Sequence, residues 1–171
     1  LPTSLILTPT RELAEQICKV LTPLAHEMDL EVVAIYGGTA YSKQTRPLKR
    51  GVDVVVACPG RLLDLMDNGA LSLENVDIVV IDEADRMADM GFMPAVRRLL
   101  DKTADQRQTV LFSATLDGDV AKLTRDHQTN PVRHEVGDET PDITAATHLF
   151  WTVDRHERVE LTAEAIGAAW P

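Results

Sequence analysis

The chain has 171 residues, 44% of them hydrophobic and only 4% aromatic, and its 17 Lys and Arg against 27 Asp and Glu give a formal charge of −10. That length suits one domain with the edge of a second, and the composition predicts a core of Val, Leu, Ile and Ala. The acidic balance excludes a domain held to nucleic acid by a broad basic surface, but not local phosphate contacts from backbone N–H groups, helix N-termini and single arginines.

Cys18 and Cys58 belong to no C-x-x-C pair and read as thiols of a reducing, cytoplasmic compartment. The five histidines lack zinc-site spacing, and the apolar runs are too short to span a bilayer, so neither zinc nor a membrane is an expected partner.

Residues 5–8 read as a buried strand ended by Pro9. Thr10 is a plausible N-cap with Glu12 in the first turn, and Leu13, Ile17, Val20, Leu21 and Leu24 recur at the spacing of one helical face. Pro23 is expected to kink or shorten that helix. A strand over 32–36 breaks at Gly37-Gly38, and a polar helix over 42–49 stops at Gly51.

Residues 52–57 form the third strand, closed by Cys58-Pro59-Gly60, and a helix over 61–66 ends at Asn68-Gly69. The run Ile78-Val79-Val80-Ile81 is apolar on both faces, the mark of a strand buried in a parallel sheet, and gives way to Asp82, Glu83 and Asp85. Pro94 opens a helix over 93–102 whose Val96, Leu99 and Leu100 face inward. A strand over 108–112 ends in Ser113-Ala114-Thr115. A helix near 119–127 and a strand near 132–136 complete the alternation.

Such alternation predicts an α/β domain with a mainly parallel sheet and helices on both faces. Residues 1–137 form that domain, 138–146 a polar linker, and 147–171 the start of another, with a strand over 147–153 and a helix over 155–169.

Each strand ends in Gly, Pro, Thr, Ser or acid, and in parallel α/β sheets the ligand crevice lies beyond those ends. Three crowded carboxylates there call for a positive charge, and hydrated Mg²⁺ on nucleotide phosphates supplies one.

The set Pro9-Thr10-Arg11-Glu12-Leu13-Ala14, Gly37-Gly38, Pro59-Gly60-Arg61, Asp82-Glu83-Ala84-Asp85 and Ser113-Ala114-Thr115, in this order, resembles the first RecA-like (P-loop NTPase) domain of the DEAD-box ATP-dependent RNA helicases. The resemblance covers residues 1–136 and implies a three-layer RecA-like fold, ATP and Mg²⁺ as ligands, and RNA as partner. It implies that Asp82 holds the metal through water, that Glu83 activates the attacking water, and that the Asp85 carboxylate bonds the hydroxyls of Ser113 and Thr115, coupling hydrolysis to duplex separation. It assigns Pro9, Thr10, Arg11, Glu12, Gly37, Gly38, Pro59, Gly60 and Arg61 to the RNA backbone, with little sequence preference.

Three departures stand against the family pattern. Cys58 replaces the usual Thr, and a thiol is the poorer donor. No G-x-x-x-x-G-K-[ST] phosphate loop occurs in residues 1–171, and the second domain's arginine-rich motif is absent from them. These 171 residues alone are therefore expected to hydrolyse ATP feebly or not at all. The strand that carries the phosphate loop in the family is an inner one, so an incomplete sheet edge is expected to invite chain–chain pairing. Two other readings share the fold: a non-catalytic RNA- or protein-binding lobe, and a DNA helicase or remodeller domain.

Overall fold

Five four-residue strands, β1 (Ser4–Leu7), β2 (Val32–Ile35), β3 (Val54–Ala57), β4 (Ile78–Ile81) and β5 (Gln108–Leu111), pair in parallel in the order β2-β3-β1-β4-β5. They belong to a computed structural model that describes residues 1–136 and 150–169. The strands are nearly all β-branched or small, as suits a sheet whose side chains pack against helices.

In register, Leu5 and Leu7 lie between Val55 and Ala57 on one side and Val79 and Ile81 on the other, all 0–1% exposed. This face carries the core, joined by Leu62 and Leu65 of α3 (Pro59–Asp67), Ala84 and Met87 of α4 (Ala84–Asp89), and Val96 and Leu99 of α5 (Met93–Leu100). Helix α6 (Gly118–His127) adds Val120 and Leu123.

Right-handed crossovers dictate the layering. The chain steps from β1 to β2 in one direction along the sheet and from β2 to β3, β4 and β5 in the other. Hence α1 (Arg11–His26) packs on the face opposite α2 (Tyr41–Arg50), α3, α4 and α5. The three layers and the parallel sheet match the expected fold class.

Several expectations need correction. Pro23 does not shorten α1, which runs to His26; it forfeits only the bond that its own N–H would give to the Lys19 carbonyl. The buried side of α1 is Ala14 and Ala25, whose small side chains let the helix lie close on the sheet, whereas Val20 and Leu24 are over 60% exposed. No strand forms over 132–136: Val132 and Val136 are exposed, and Arg133 pairs with Glu135 at 2.9 Å. An alternating pattern becomes a strand only where a neighbour completes its ladder, and none does among the described residues.

Chain contacts define two units, Leu1–Pro131 and Val132–Pro171. In the second, α7 (Arg158–Ala169) starts later than the expected residue 155, and residues 150–153 form no strand. The expected linker at 138–146, and residues 147–149 of the expected strand, lie outside the described residues.

At its β5 end the sheet is closed in part by a side chain. Gln108 and Phe112 donate to Asp77 and Ile81, which turns the odd-numbered backbone groups of β5 away from β4. Gln128 Nε2 donates to one of these outward groups, the Thr109 carbonyl, at 3.1 Å.

Burial on α1 makes one thiol inert. Cys18 is pushed up to about 11 by desolvation, so little of it is thiolate at pH 8. Iodoacetamide should modify Cys18 about 300-fold more slowly than an ordinary cysteine of pKa about 8.5, as timed mass spectrometry of the folded protein would measure.

Candidate functional site

Parallel pairing puts all five strand ends on one edge, and the ladder continues one residue past β1, β3, β4 and β5. Thr8 N–H donates to Ala57, Cys58 N–H to Ile35, Asp82 N–H to Leu7 and Phe112 N–H to Ile81, at 2.8–2.9 Å. The edge therefore reads, in space, Gly37-Gly38, Cys58 to Arg61, Thr10-Arg11, Asp82 to Asp85, Ser113. Sequence order does not give this arrangement, because β3 inserts between β2 and β1.

At the β4 end, Asp82 Oδ1 accepts from Glu83 N–H at 3.0 Å. Glu83 then takes a left-handed backbone (φ 49°, ψ 53°), which costs an L-residue about 1–2 kcal/mol. Two bonds to the β5 end hold it there: Ala84 N–H to the Phe112 carbonyl at 3.0 Å and Asp85 N–H to Ser113 Oγ at 3.1 Å. The sharp turn lets α4 start at once, leaving Glu83 at the crevice with its carboxylate 41% exposed and 3.3 Å from Arg86.

The Asp85–Ser113 link is thus made by the Asp85 backbone N–H, not by its carboxylate as expected. Thr115 is exposed and takes no part in it, and Ala114 is exposed beside it. The left-handed turn at Glu83 aims the amides that follow at the β5 end.

Among the described residues no three His, Cys, Asp or Glu side chains converge as a metal site on protein ligands alone. Asp82, whose Oδ1 alone is committed among the described residues, fits an ion that takes one or two carboxylates and completes its shell with water and phosphate, while the Glu83 carboxylate faces Arg86. That is the habit of Mg²⁺.

On the β1 side, Thr8 is fully buried and donates its hydroxyl to the Thr10 carbonyl at 3.2 Å. Thr10 caps α1 by accepting from Leu13 N–H at 3.3 Å, which leaves its own hydroxyl proton free. Arg11 Nε donates to Glu15 at 3.0 Å, and the guanidinium lies 5.2 Å from the centre of the Tyr36 ring, whose hydroxyl donates to the same Glu15 oxygen at 2.6 Å. The Tyr36 and Arg11 bonds hold the Glu15 carboxyl below its usual range. Glu12 is exposed in the first turn.

The loop after β2 is braced from beneath. Gln44 is 5% exposed and donates to the Tyr36 carbonyl at 2.8 Å and to the Thr39 hydroxyl. Arg61 donates to the Thr39 carbonyl at 3.2 Å and lies 6.0 Å from the Tyr41 ring centre. Gly38 has φ +78°, a backbone that favours glycine, and nothing lies within 4 Å of where a side chain would begin on Gly37, Gly38 or Gly60.

Helix α3 starts at Pro59 without a side-chain cap from Cys58, so the N–H groups of Gly60 and Arg61 face the edge uncapped. Burial pushes the Cys58 thiol up, opposed by the Thr8 hydroxyl. Pro9 and Pro59 are buried. They shape the turns that present Thr10 and Gly60 at the edge.

Sequence reasoning missed Glu15, Tyr36, Thr39 and Gln44, which fix the posture of the expected contacts. Only the placement of Tyr36 directly before Gly37-Gly38 hinted at one of them.

A DEAD/DEAH box helicase family model matches residues 2–123. The chain belongs to the DEAD/DEAH box helicase family. It is 47% identical over 139 residues to DEAD-box ATP-dependent RNA helicase 5 of Oryza sativa subsp. japonica, covering 81% of this chain and 27% of that protein. It is 38% identical to ATP-dependent RNA helicase RhlB of Shewanella sp. (strain MR-4), over 99% of this chain and 39% of that one. The crystal structure of a hypothetical ATP-dependent RNA helicase from Sulfolobus tokodaii matches with a TM-score of 0.71 at 42% identity, covering 75% of this chain and 39% of that one. The chain thus spans between a quarter and two-fifths of the length of these relatives. Among the described residues no helix is long and apolar enough to cross a membrane.

Proposed function

We propose that the protein carrying this chain is a cytoplasmic RNA-dependent ATPase that separates RNA duplexes locally, with residues 1–137 as its first RecA-like domain, 138–146 a linker and 147–171 the lead-in to the second. The observation that supports this most is the division of one sheet edge. Thr10, Arg11, Gly37, Gly38, Gly60 and Arg61 occupy adjacent strand ends, and Asp82, Glu83 and Ser113 the next two. RNA and nucleotide would lie side by side on one rigid ladder.

Asp82 is the residue to hold Mg²⁺ through water, and the metal, when bound, offsets charge on the β- and γ-phosphates of ATP. Glu83 orients the attacking water and takes its proton. Asp85 and Ser113 tie that turn to β5, so a change at the phosphates reaches the neighbouring strand end. Thr10 offers its free hydroxyl proton, Arg11 its terminal nitrogens, and Gly60 and Arg61 their backbone N–H groups to sugar and phosphate, which gives little sequence preference.

The phosphate cradle is not among these 171 residues. This supports two further statements: the chain alone hydrolyses ATP feebly or not at all, and the outward groups of β5 can pair with another extended segment. Sedimentation of the 171-residue chain as a dimer or larger would support such pairing, and a strict monomer would oppose it.

The Tyr36–Glu15–Arg11 cluster yields a direct test of the RNA half. Tyr36→Phe keeps the ring and removes the hydroxyl that anchors Glu15. RNA affinity of the intact protein, measured by fluorescence anisotropy, should fall about 2- to 10-fold, the range for loss of one hydrogen bond, with ATP affinity unchanged. The overall reading is tested by ATP turnover with and without RNA: stimulation by RNA is expected, and turnover indifferent to RNA would overturn it.

A further inference from the structure

Helix α2 carries Lys43, Arg46, Lys49 and Arg50 and no acid in ten residues, on a chain whose formal charge is −10. All four cations are exposed, and none takes part in an ion pair among the described residues. At 100° per residue they share about a third of the helix circumference, and with Pro47 they line one surface groove. The opposite side of the helix is fixed: Gln44 is 5% exposed and bonds the Tyr36 carbonyl, and Leu48 packs against the core. The basic face is therefore held outward in one orientation. Asp64, which lines a pocket with Lys49, already faces Arg61 at 3.9 Å.

We propose that this face of α2 is a second RNA-backbone surface that extends the strand-end strip; it rests on the RNA-binding reading above. The helix starts directly after the Gly37-Gly38 loop, with Lys43 N–H bonded to the Ala40 carbonyl at 3.1 Å, and runs back from the carboxyl edge of the sheet. A strand leaving the loop meets Lys43 first and Arg50 last. Seven residues of helix span about 10 Å. At about 3.4 Å of axis per nucleotide in one strand, that is room for about three phosphates. Lysine and arginine side chains without base-reading partners neutralise phosphate and carry no sequence preference. The stripe thus contributes affinity and salt dependence in proportion to RNA length.

The test compares the intact protein with Lys43→Gln/Arg46→Gln/Lys49→Gln and with a control that removes the same charge elsewhere, Lys19→Gln/Lys122→Gln/Arg125→Gln. The probe is a twelve-nucleotide oligouridine, bound across a salt series. The α2 variant should bind about tenfold more weakly, and its slope of log affinity against log salt should be shallower by ~2, from three contacts at about 0.7 each. The control should match wild type. Equal behaviour of the α2 variant and the control would overturn the proposal. So would a variant that binds RNA normally but loses binding to polyglutamate, which would assign the stripe to an acidic protein segment. Arg11→Ala separates the two levels of the argument. If it leaves RNA affinity untouched, the RNA reading itself fails; if it weakens binding while the α2 variant does not, only the stripe proposal fails.

Discussion

Glu83→Gln should lower RNA-stimulated ATP turnover of the intact protein by about 10²- to 10⁴-fold, the usual worth of a positioned general base. The amide matches the carboxylate in shape and keeps the left-handed backbone at φ 49°, so the turn into α4 survives. It loses the ability to take a proton from water. Among the described residues the carboxylate meets only Arg86, in an exposed contact at 3.3 Å. Stability in urea should change by no more than about 0.5 kcal/mol, as at other surface positions. ATP affinity should stay near wild type, because Asp82 and not Glu83 is assigned to the metal. A variant with normal turnover would remove Glu83 from the chemistry; one that unfolds would make it a structural residue.

Leu7→Ala should destabilise the protein by about 2–5 kcal/mol, the range for deleting a buried leucine side chain. Leu7 is 0% exposed in the middle strand, flanked in register by Ala57 and Ile81, and its carbonyl accepts from Asp82 N–H at 2.9 Å. A cavity there lies directly beside Asp82 and three residues before Thr10, so RNA and ATP binding should weaken together. Val20→Ala supplies the contrast. Helical spacing puts Val20 on the same stripe as Leu13 and Leu24, yet it is 62% exposed and its truncation should cost less than about 0.5 kcal/mol. Urea titrations of the two variants should show a lower midpoint for Leu7→Ala and an unchanged one for Val20→Ala, with the slope conserved in both.

That contrast shows where sequence reading reaches and where it stops. The strand runs around Leu5, Val55 and Val79 are legible because a strand buried on both faces has no polar alternation. Their ends are legible too, since Pro9, Gly38 and Pro59 carry backbone constraints that few other residues satisfy. The pattern on α1 misleads by a rotation of the helix: small Ala14 and Ala25 are chosen by close approach to the sheet, which periodicity of large apolar residues does not register.

Pairing order was equally hidden. The insertion of β3 between β2 and β1, which gathers the Gly38, Arg61 and Thr10 ends into one strip, depends on long-range contacts and leaves no mark in any one motif. At the site, the residues Asp85 and Ser113 were legible as a pair, but the atom that joins them was not. Motif reading assigns side chains, whereas the left-handed turn at Glu83 makes the connection through a backbone amide. The valines at 132 and 136 show the converse, a strand-like pattern without a neighbour to complete its ladder.

The most direct test of the central claim is ATP turnover by the intact protein, measured without nucleic acid, with single-stranded RNA, and with DNA of the same sequence. The division of the sheet edge into an RNA half and a nucleotide half predicts turnover that is low alone, raised many-fold by RNA, little affected by DNA, and no longer raised in Ser113→Ala/Arg61→Ala. Turnover that is equal in all three conditions, or raised by DNA alone, would contradict it.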